Sequence, residues 1–370
     1  MNKSDLTRNG YMLNGALARK GYDWWWHSFI GFHRKTGRKQ AFFIEYFIIN
    51  PALGKSTPVW GQTPDKQLPS YAMVKAGAWG EGKKQLHAFF PISELKLQND
   101  PLTVSVGNCR LTEKAMQGSV SVSEAEAERP EMMCDAGRME WDLKINKQVA
   151  FHVGYGASRF FRALNAFAMF WHAEGMKTEY KGTVTFDGEI YDIDPERACG
   201  YADKNWGKDF TSPWVWISSC NITSNITGKK LNHTVFDIGG GRPVVFGRAL
   251  ERRLLMDLFY EGKDYEFNFS KFFDRVKTTF QCYETETEVV WKIHTQNRKA
   301  GMDVFCSCLK SEMLLVNYEA PDGSKRHNRL WNGGTGSGTI KLYKKEKNQR
   351  ILIDELSFSD AGCEYGEYTE

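Results

Sequence analysis

Two segments of the 370-residue chain gather side chains able to do chemistry. In Tyr201-Ala202-Asp203-Lys204-Asn205-Trp206-Gly207-Lys208-Asp209-Phe210, an acid, an amine and an amide stand among aromatic rings, and Pro213-Trp214-Val215-Trp216 follows at once. Phe170-Trp171-His172-Ala173-Glu174 lies upstream of it. The other segment is Gly21-Tyr22-Asp23-Trp24-Trp25-Trp26-His27, followed by Phe42-Phe43-Ile44-Glu45-Tyr46-Phe47. A carboxyl enclosed by tryptophans holds its proton more tightly than in water, because burial disfavours the charged form. Asp203, Glu45 and His172 are therefore the candidate acids. Trp25, Trp171, Trp206, Trp214 and Trp216 are candidate walls, with His27 and Tyr46 beside them. Tyr201 and Asn205 suit the orientation of a hydroxyl, a contact that discriminates against analogues lacking it. Lys204 leaves two readings open: paired with Asp203 it keeps that carboxyl ionised and structural, and otherwise Asp203 is free to act as an acid. The whole cluster reads either as the polar end of an apolar pocket or as a buried polar corner locking a barrel.

The elements that must position these residues are mostly strands. Ala41 to Ile49 is rich in β-formers and stops at Asn50-Pro51. Val104 to Val106 is β-prone, and Ser119 to Ser123 alternates with period two. Thr183-Val184-Thr185-Phe186, Asp187-Gly188 and Glu189 to Ile193 read as a hairpin, since Asp-Gly tolerates the positive φ of a tight turn. Thr339 to Tyr343 and Arg350 to Ile353 read as another pair. One helix is expected over Ser158 to Trp171, with Phe160, Phe161, Leu164, Phe167, Ala168 and Trp171 on one face and Ser158 as N-cap. Strands joined by short turns, with few helices, predict antiparallel sandwiches or barrels. The polar stretch Glu124 to Arg138 precedes a boundary placed near residue 150, giving β domains over 1–150 and 151–370.

Other chemistries find little support. Aromatic residues make up 14%, a fraction that favours strands and apolar walls. The net charge of +4 is too small and too evenly spread to predict a nucleic-acid or anionic-membrane partner. Gly333 to Gly338 lacks the Lys-Ser/Thr of a phosphate loop and reads as a flexible β connection; Gly239-Gly240-Gly241 reads as a turn or a close backbone approach. The eight histidines form no compact ligand motif, and no G-x-S-x-G is present, so neither a metal, another cofactor nor a hydrolase triad is expected. No segment predicts a signal peptide or a transmembrane helix, so the expectation is a cytoplasmic protein with its cysteines as free thiols.

Over residues 165 to 220 the sequence resembles the tocopherol cyclase family. The resemblance rests on Trp171-His172, Gly182-Thr183-Val184, Tyr201-Ala202-Asp203-Lys204-Asn205-Trp206-Gly207 and Trp214-Val215-Trp216, in that order and spacing. Weaker echoes are the Trp-rich strand near residue 25, Pro91-Ile92-Ser93-Glu94 and Cys363-Glu364-Tyr365-Gly366. Asp203 stands where that family usually has Glu, and Trp24-Trp25-Trp26-His27 replaces a Gly-Trp-Tyr-Phe. The resemblance implies two packed lipocalin-like antiparallel β units with a pocket for an isoprenoid-type molecule. It implies a cofactor-independent cyclase or isomerase: an acid protonates an alkene, aromatic faces stabilise the cation, and a hydroxyl rather than water captures it. The alternatives are a carrier for an apolar ligand and a hydratase that uses the same cation. The expected partner is an apolar small molecule, with homo-oligomerisation left open.

Overall fold

The computed structural model describes residues 7–54, 56–63, 65–151, 160, 163–164, 166–347 and 349–367, without the side chains of residues 272 and 325–328. The protein is mostly β and folds as two compact units of antiparallel sheet. The first unit comprises Met1–Ala150, Ala168–Phe210 and Asn317–Asn328; the second comprises Phe151–Phe167, Thr211–Val316 and Arg329–Glu370.

Among the described residues, twelve strands build the first unit: β1 (Tyr22–His33), β2 (Lys39–Ile49), β3 (Tyr71–Trp79), β4 (Lys84–Phe90), β5 (Lys96–Asn99), β6 (Leu102–Val106), β7 (Cys109–Thr112), β8 (Ala115–Val122), β9 (Gly137–Phe151), β10 (Met169–Phe186), β11 (Glu189–Ile193) and β12 (Gly200–Gly207). Their order is β4-β3-β2-β1-β11-β10-β9-β8-β7-β6-β5, with β12 pairing both β1 and β10. The sheet curls until β4 meets β8. Sequence pattern follows burial. β9 alternates between buried and exposed residues, whereas β1, β2 and β3 are buried on both faces and are nearly continuous apolar runs. The expected hairpin forms as read: Asp187 and Gly188 both have positive φ, 47° and 86°, and Phe186 pairs with Glu189.

The motif strand β12 lies in the first unit, not in the C-terminal domain in which the sequence reading put it. It pairs with β1 from Tyr22↔Gly207 to Ser28↔Tyr201, and that long ladder binds residues 200–207 to the N-terminal strands. The expected helix also differs. Ser158 and Phe161 lie outside the described residues, but Phe170 and Trp171 are strand residues of β10, drawn into pairing with Trp206 and Asn205. The motif glycines mark where backbones touch. A Cβ on Gly207 would sit 2.1 Å from the Ala168 carbonyl oxygen, and one on Gly182 would sit 2.0 Å from that of Asp142. Gly207→Ala is therefore expected to destabilise the protein by about 1–3 kcal/mol or more, read as a lower urea midpoint.

In the second unit an eleven-stranded sheet has the strand Trp214–Ser219 between Val235–Gly241 and Gln349–Gly366. Its core includes Val215, Ile217, Phe236, Trp291 and Phe358. The expected pair near the C-terminus forms within the strands Lys325–Glu346 and Gln349–Gly366. Gly333 to Gly338 is not a loose connection: it runs inside the strand Lys325–Glu346 with shifts of register, and a Cβ on Gly338 would lie 1.9 Å from the Phe305 carbonyl oxygen. Gly239 to Gly241 is a close approach, with Pro213 oxygen 1.7 Å from a Cβ built on Gly241. Cys109, Cys134, Cys282, Cys306, Cys308 and Cys363 are free thiols, whereas Cys199 and Cys220 depart from the expectation and are disulfide-bonded. Among the described residues no helix is long and apolar enough to cross a membrane.

Candidate functional site

Strand parity divides the candidate residues between two faces of one sheet. The ladders β3-β2-β1-β12-β10 set them in rows. Trp26 stands opposite Glu45 on one side and Asp203 on the other, and Glu45 stands opposite Lys75. Trp24 stands opposite Phe47 and Asn205, and Asn205 opposite Trp171. These residues share an outer face. Asp23, Trp25, His27, Tyr46, Lys204, Trp206 and His172 share the inner face, where Tyr46 is fully buried.

Asp203 and Lys204 therefore point in opposite directions, and the pairing that the sequence left open between them does not form. Lys204 is ion-paired with Asp23, both side chains fully buried, and its ammonium lies 3.6 Å from the centroid of the Trp25 ring. Asp23 also accepts from the Met12 amide at 2.7 Å. Burial outweighs the mutual attraction on both partners: the Asp23 carboxyl is pushed up to about 6, and the Lys204 ammonium is lowered. Deeper on the inner face, Lys147 pairs with Glu174 and, at 2.9 Å, with Glu113. His27 Nδ1 meets the Tyr180 hydroxyl at 2.8 Å, and burial holds its ring well below the usual imidazole range. Trp206 stacks on Phe170 at 5.3 Å, and His172 is buried beside Lys204.

Burial, opposed by Lys147, pushes the Glu174 carboxyl up to about 7 from an ordinary 4.5. The folded state thus holds this proton more tightly than the unfolded chain. The stabilisation is complete below pH 4.5 and is lost as pH rises through about 7. Glu174→Gln is expected to remove that decline, by at most about 3 kcal/mol, in urea titrations run from pH 4.5 to 8.

The outer face is aromatic with an acid on either side of Trp26. Asp203 accepts from Trp171 Nε1 at 2.9 Å and from the Tyr201 hydroxyl at 3.3 Å. Glu45 pairs with Lys75 at 3.0 Å, both fully buried, and accepts from the Tyr318 hydroxyl at 2.9 Å. The Lys75 ammonium lies 3.6 Å from the centroid of the Tyr318 ring. Trp26 stacks on Phe43 at 5.1 Å, and Trp24 on Tyr318 at 5.4 Å. Asn205 accepts from the Tyr22 hydroxyl at 2.7 Å. Four buried polar atoms on this face, Trp24 Nε1, Trp26 Nε1, Asn205 Nδ2 and Glu45 Oε1, meet no hydrogen-bond partner among the described residues. Each such atom costs roughly 1–3 kcal/mol when left dry.

Two of the candidate walls lie elsewhere. Trp214 and Trp216 belong to the second unit, where Trp214 Nε1 donates to Glu364, and Trp216 Nε1 donates to Asp237 at 3.0 Å. The sequence reading overlooked Trp24 and Trp26 as walls, although the alternation of a strand separates them from Trp25. It also overlooked Lys75, the one charge in the apolar strand Tyr71–Trp79 and thus a group in need of a buried partner. Tyr318, far along the chain, left no local signal. Among the described residues no three or more His, Cys, Asp or Glu side chains cluster as a metal site.

Fold and site define a class: an antiparallel β protein whose sheet buries a carboxyl-and-tryptophan face. The model of the tocopherol cyclase-like family matches residues 69–367, and the chain belongs to that family. A probable chloroplastic tocopherol cyclase of Oryza sativa subsp. japonica is 36% identical over 95 residues, which is 26% of this chain and 18% of that protein. The chloroplastic tocopherol cyclase of Zea mays is 34% identical over 95 residues, with the same coverage of 26% and 18%. The match thus spans less than a fifth of the length of these curated relatives. A putative AttH from Nitrosomonas europaea aligns with 94% of this chain and 93% of its own at a TM-score of 0.48 and 11% identity.

Proposed function

We propose that the protein is a cofactor-independent cyclase of the isomerase type, closing a ring in a prenylated aromatic molecule. Asp203 gives its proton to a trisubstituted alkene, forming one C–H bond and leaving a tertiary cation. Trp26 and Trp24 present π faces that stabilise such a cation by about 0.5–2 kcal/mol each. A hydroxyl of the substrate captures the cation through a new C–O bond and releases its own proton. Atoms and charge balance without an oxidant or reductant, so product and substrate have equal mass.

The observation that carries this reading is the opposed orientation of Asp203 and Lys204. Lys204 is engaged with Asp23 on the inner face, while Asp203 receives hydrogen bonds from the neutral donors Trp171 and Tyr201 on the outer one. A carboxyl buried on an aromatic face and turned away from the neighbouring lysine suits proton donation, and membership of the tocopherol cyclase-like family supports ring closure as its use. His172 faces the other way and is given no part in the protonation.

The reading is tested by incubating purified protein with prenyl hydroquinones in heavy-oxygen water. A cyclised product of unchanged mass supports it. Return of unaltered ligand supports a carrier instead, and a product that has gained labelled water supports a hydratase.

A further inference from the structure

The outer face holds more polar chemistry than protonation of an alkene uses. Trp24 Nε1, Trp26 Nε1, Asn205 Nδ2 and Glu45 Oε1 belong to residues at most 8% exposed, and none of the four atoms meets a partner among the described residues. They are also neighbours. Trp24 is the cross-strand partner of Asn205, Trp26 that of Glu45, and Trp24 and Trp26 are two residues apart on one strand. Buried polar groups are almost always satisfied, so three unused donors and one unused acceptor on one patch point to a bound molecule that satisfies them. Such a molecule carries oxygens that accept from the indoles and the amide, and a hydroxyl that donates to a carboxylate.

We propose that this patch holds the oxygens of the substrate's ring, and that Glu45 takes the proton from the hydroxyl that closes the new ring. This rests on the cyclase reading above and adds the second half of its proton traffic. Asp203 and Glu45 flank Trp26, one strand to each side, so their backbones lie roughly 10 Å apart with the substrate between the two carboxyls. As the C–O bond forms, the O–H bond breaks and its proton passes to Glu45 Oε1. Lys75 and the Tyr318 hydroxyl hold Oε2, which fixes the carboxylate and leaves Oε1 free to receive the proton. The deprotonated Asp203 and the protonated Glu45 return to their starting forms by exchange with solvent when product leaves. Glu45, read from the sequence as an acid, thereby becomes the proton acceptor.

The test has two arms. In the first, calorimetry compares an alkyl hydroquinone with a saturated side chain against the same alkylbenzene lacking both hydroxyls. Wild-type protein is expected to favour the hydroquinone by about 10²-fold or more. Trp24→Phe/Trp26→Phe keeps the rings but removes both N–H donors, and is expected to reduce that preference at least about tenfold with alkylbenzene affinity unchanged. An undiminished preference overturns the ring site. In the second arm, Glu45→Gln is expected to lower kcat about 10²-fold and to abolish the rise of kcat/KM with pH on the acidic side. A pH profile identical to that of wild type overturns the proton-acceptor role, whatever happens to stability. The two readings fail separately. Selective hydroquinone binding without any cyclisation removes the cyclase reading, and Glu45's step with it, but keeps the ring site. Asp203-dependent cyclisation that is indifferent to the tryptophan and Glu45 variants does the reverse.

Discussion

Asp203→Asn is expected to lower kcat on a prenyl hydroquinone by about 10²- to 10⁴-fold, the range that a positioned acid supplies. The substitution keeps the shape of the side chain and an oxygen for Trp171 Nε1 and the Tyr201 hydroxyl to bond. KM and the urea midpoint should therefore stay close to those of wild type, which separates a chemical defect from a folding one. Asp203→Glu is expected to retain measurable turnover, since the motif resembles one that usually carries Glu at this place. Trp171→Phe removes one donor from Asp203 and is expected to cost less than removal of the carboxyl itself. An Asn variant with wild-type kcat would take Asp203 out of the reaction.

Lys204→Met is expected to destabilise the protein by about 3–5 kcal/mol at pH 8, because it strands the Asp23 carboxylate in the barrel interior. The cost should shrink as pH falls. Even with Lys204 present, burial lifts the Asp23 carboxyl to about 6, well above its ordinary 3.8. Without the lysine the folded state holds that proton more tightly still. The variant therefore approaches wild-type stability as pH falls towards 4 and loses it as pH rises past 6. Urea unfolding at pH 5 and pH 8 measures the difference. Asp23→Asn/Lys204→Met removes both charges and is expected to recover most of the loss. A deficit equal at both pH values would mean that packing of the lysine stem, not the stranded charge, accounts for it.

The two experiments address different faces of the same strand, and that division could not be read from residue types alone. The β character, the Asp187-Gly188 hairpin and the two-sided burial of Trp24 to Trp26 were legible, because they follow from period-two geometry and turn chemistry. Strand parity separates Asp203 from Lys204, yet the sequence alone left their pairing open, and the partner of Lys204 is Asp23, 181 residues away along the chain. Tyr318 reaches Glu45 across 273 residues. Neither contact has a local signature. The helix expected at 158–171 illustrates the opposite error. Phe170 and Trp171 fit a helical stripe, yet pairing with β12 draws both into a strand. Aromatic residues satisfy either period in a short window, and tertiary pairing decides between them. Trp214 and Trp216 were grouped with Asp203 by closeness in sequence, whereas the division into units falls between Phe210 and Thr211.

Proton transfer from the protein to a substrate alkene is the step on which the functional account stands. Carrying out the reaction in deuterium oxide reads that step in the product. A cyclised product with a single carbon-bound deuterium on the carbon next to the one that gains oxygen is expected from wild-type protein, and about 10²- to 10⁴-fold more slowly from Asp203→Asn. Cyclised product without deuterium on carbon, or labelled product formed equally well by Asp203→Asn, would contradict it.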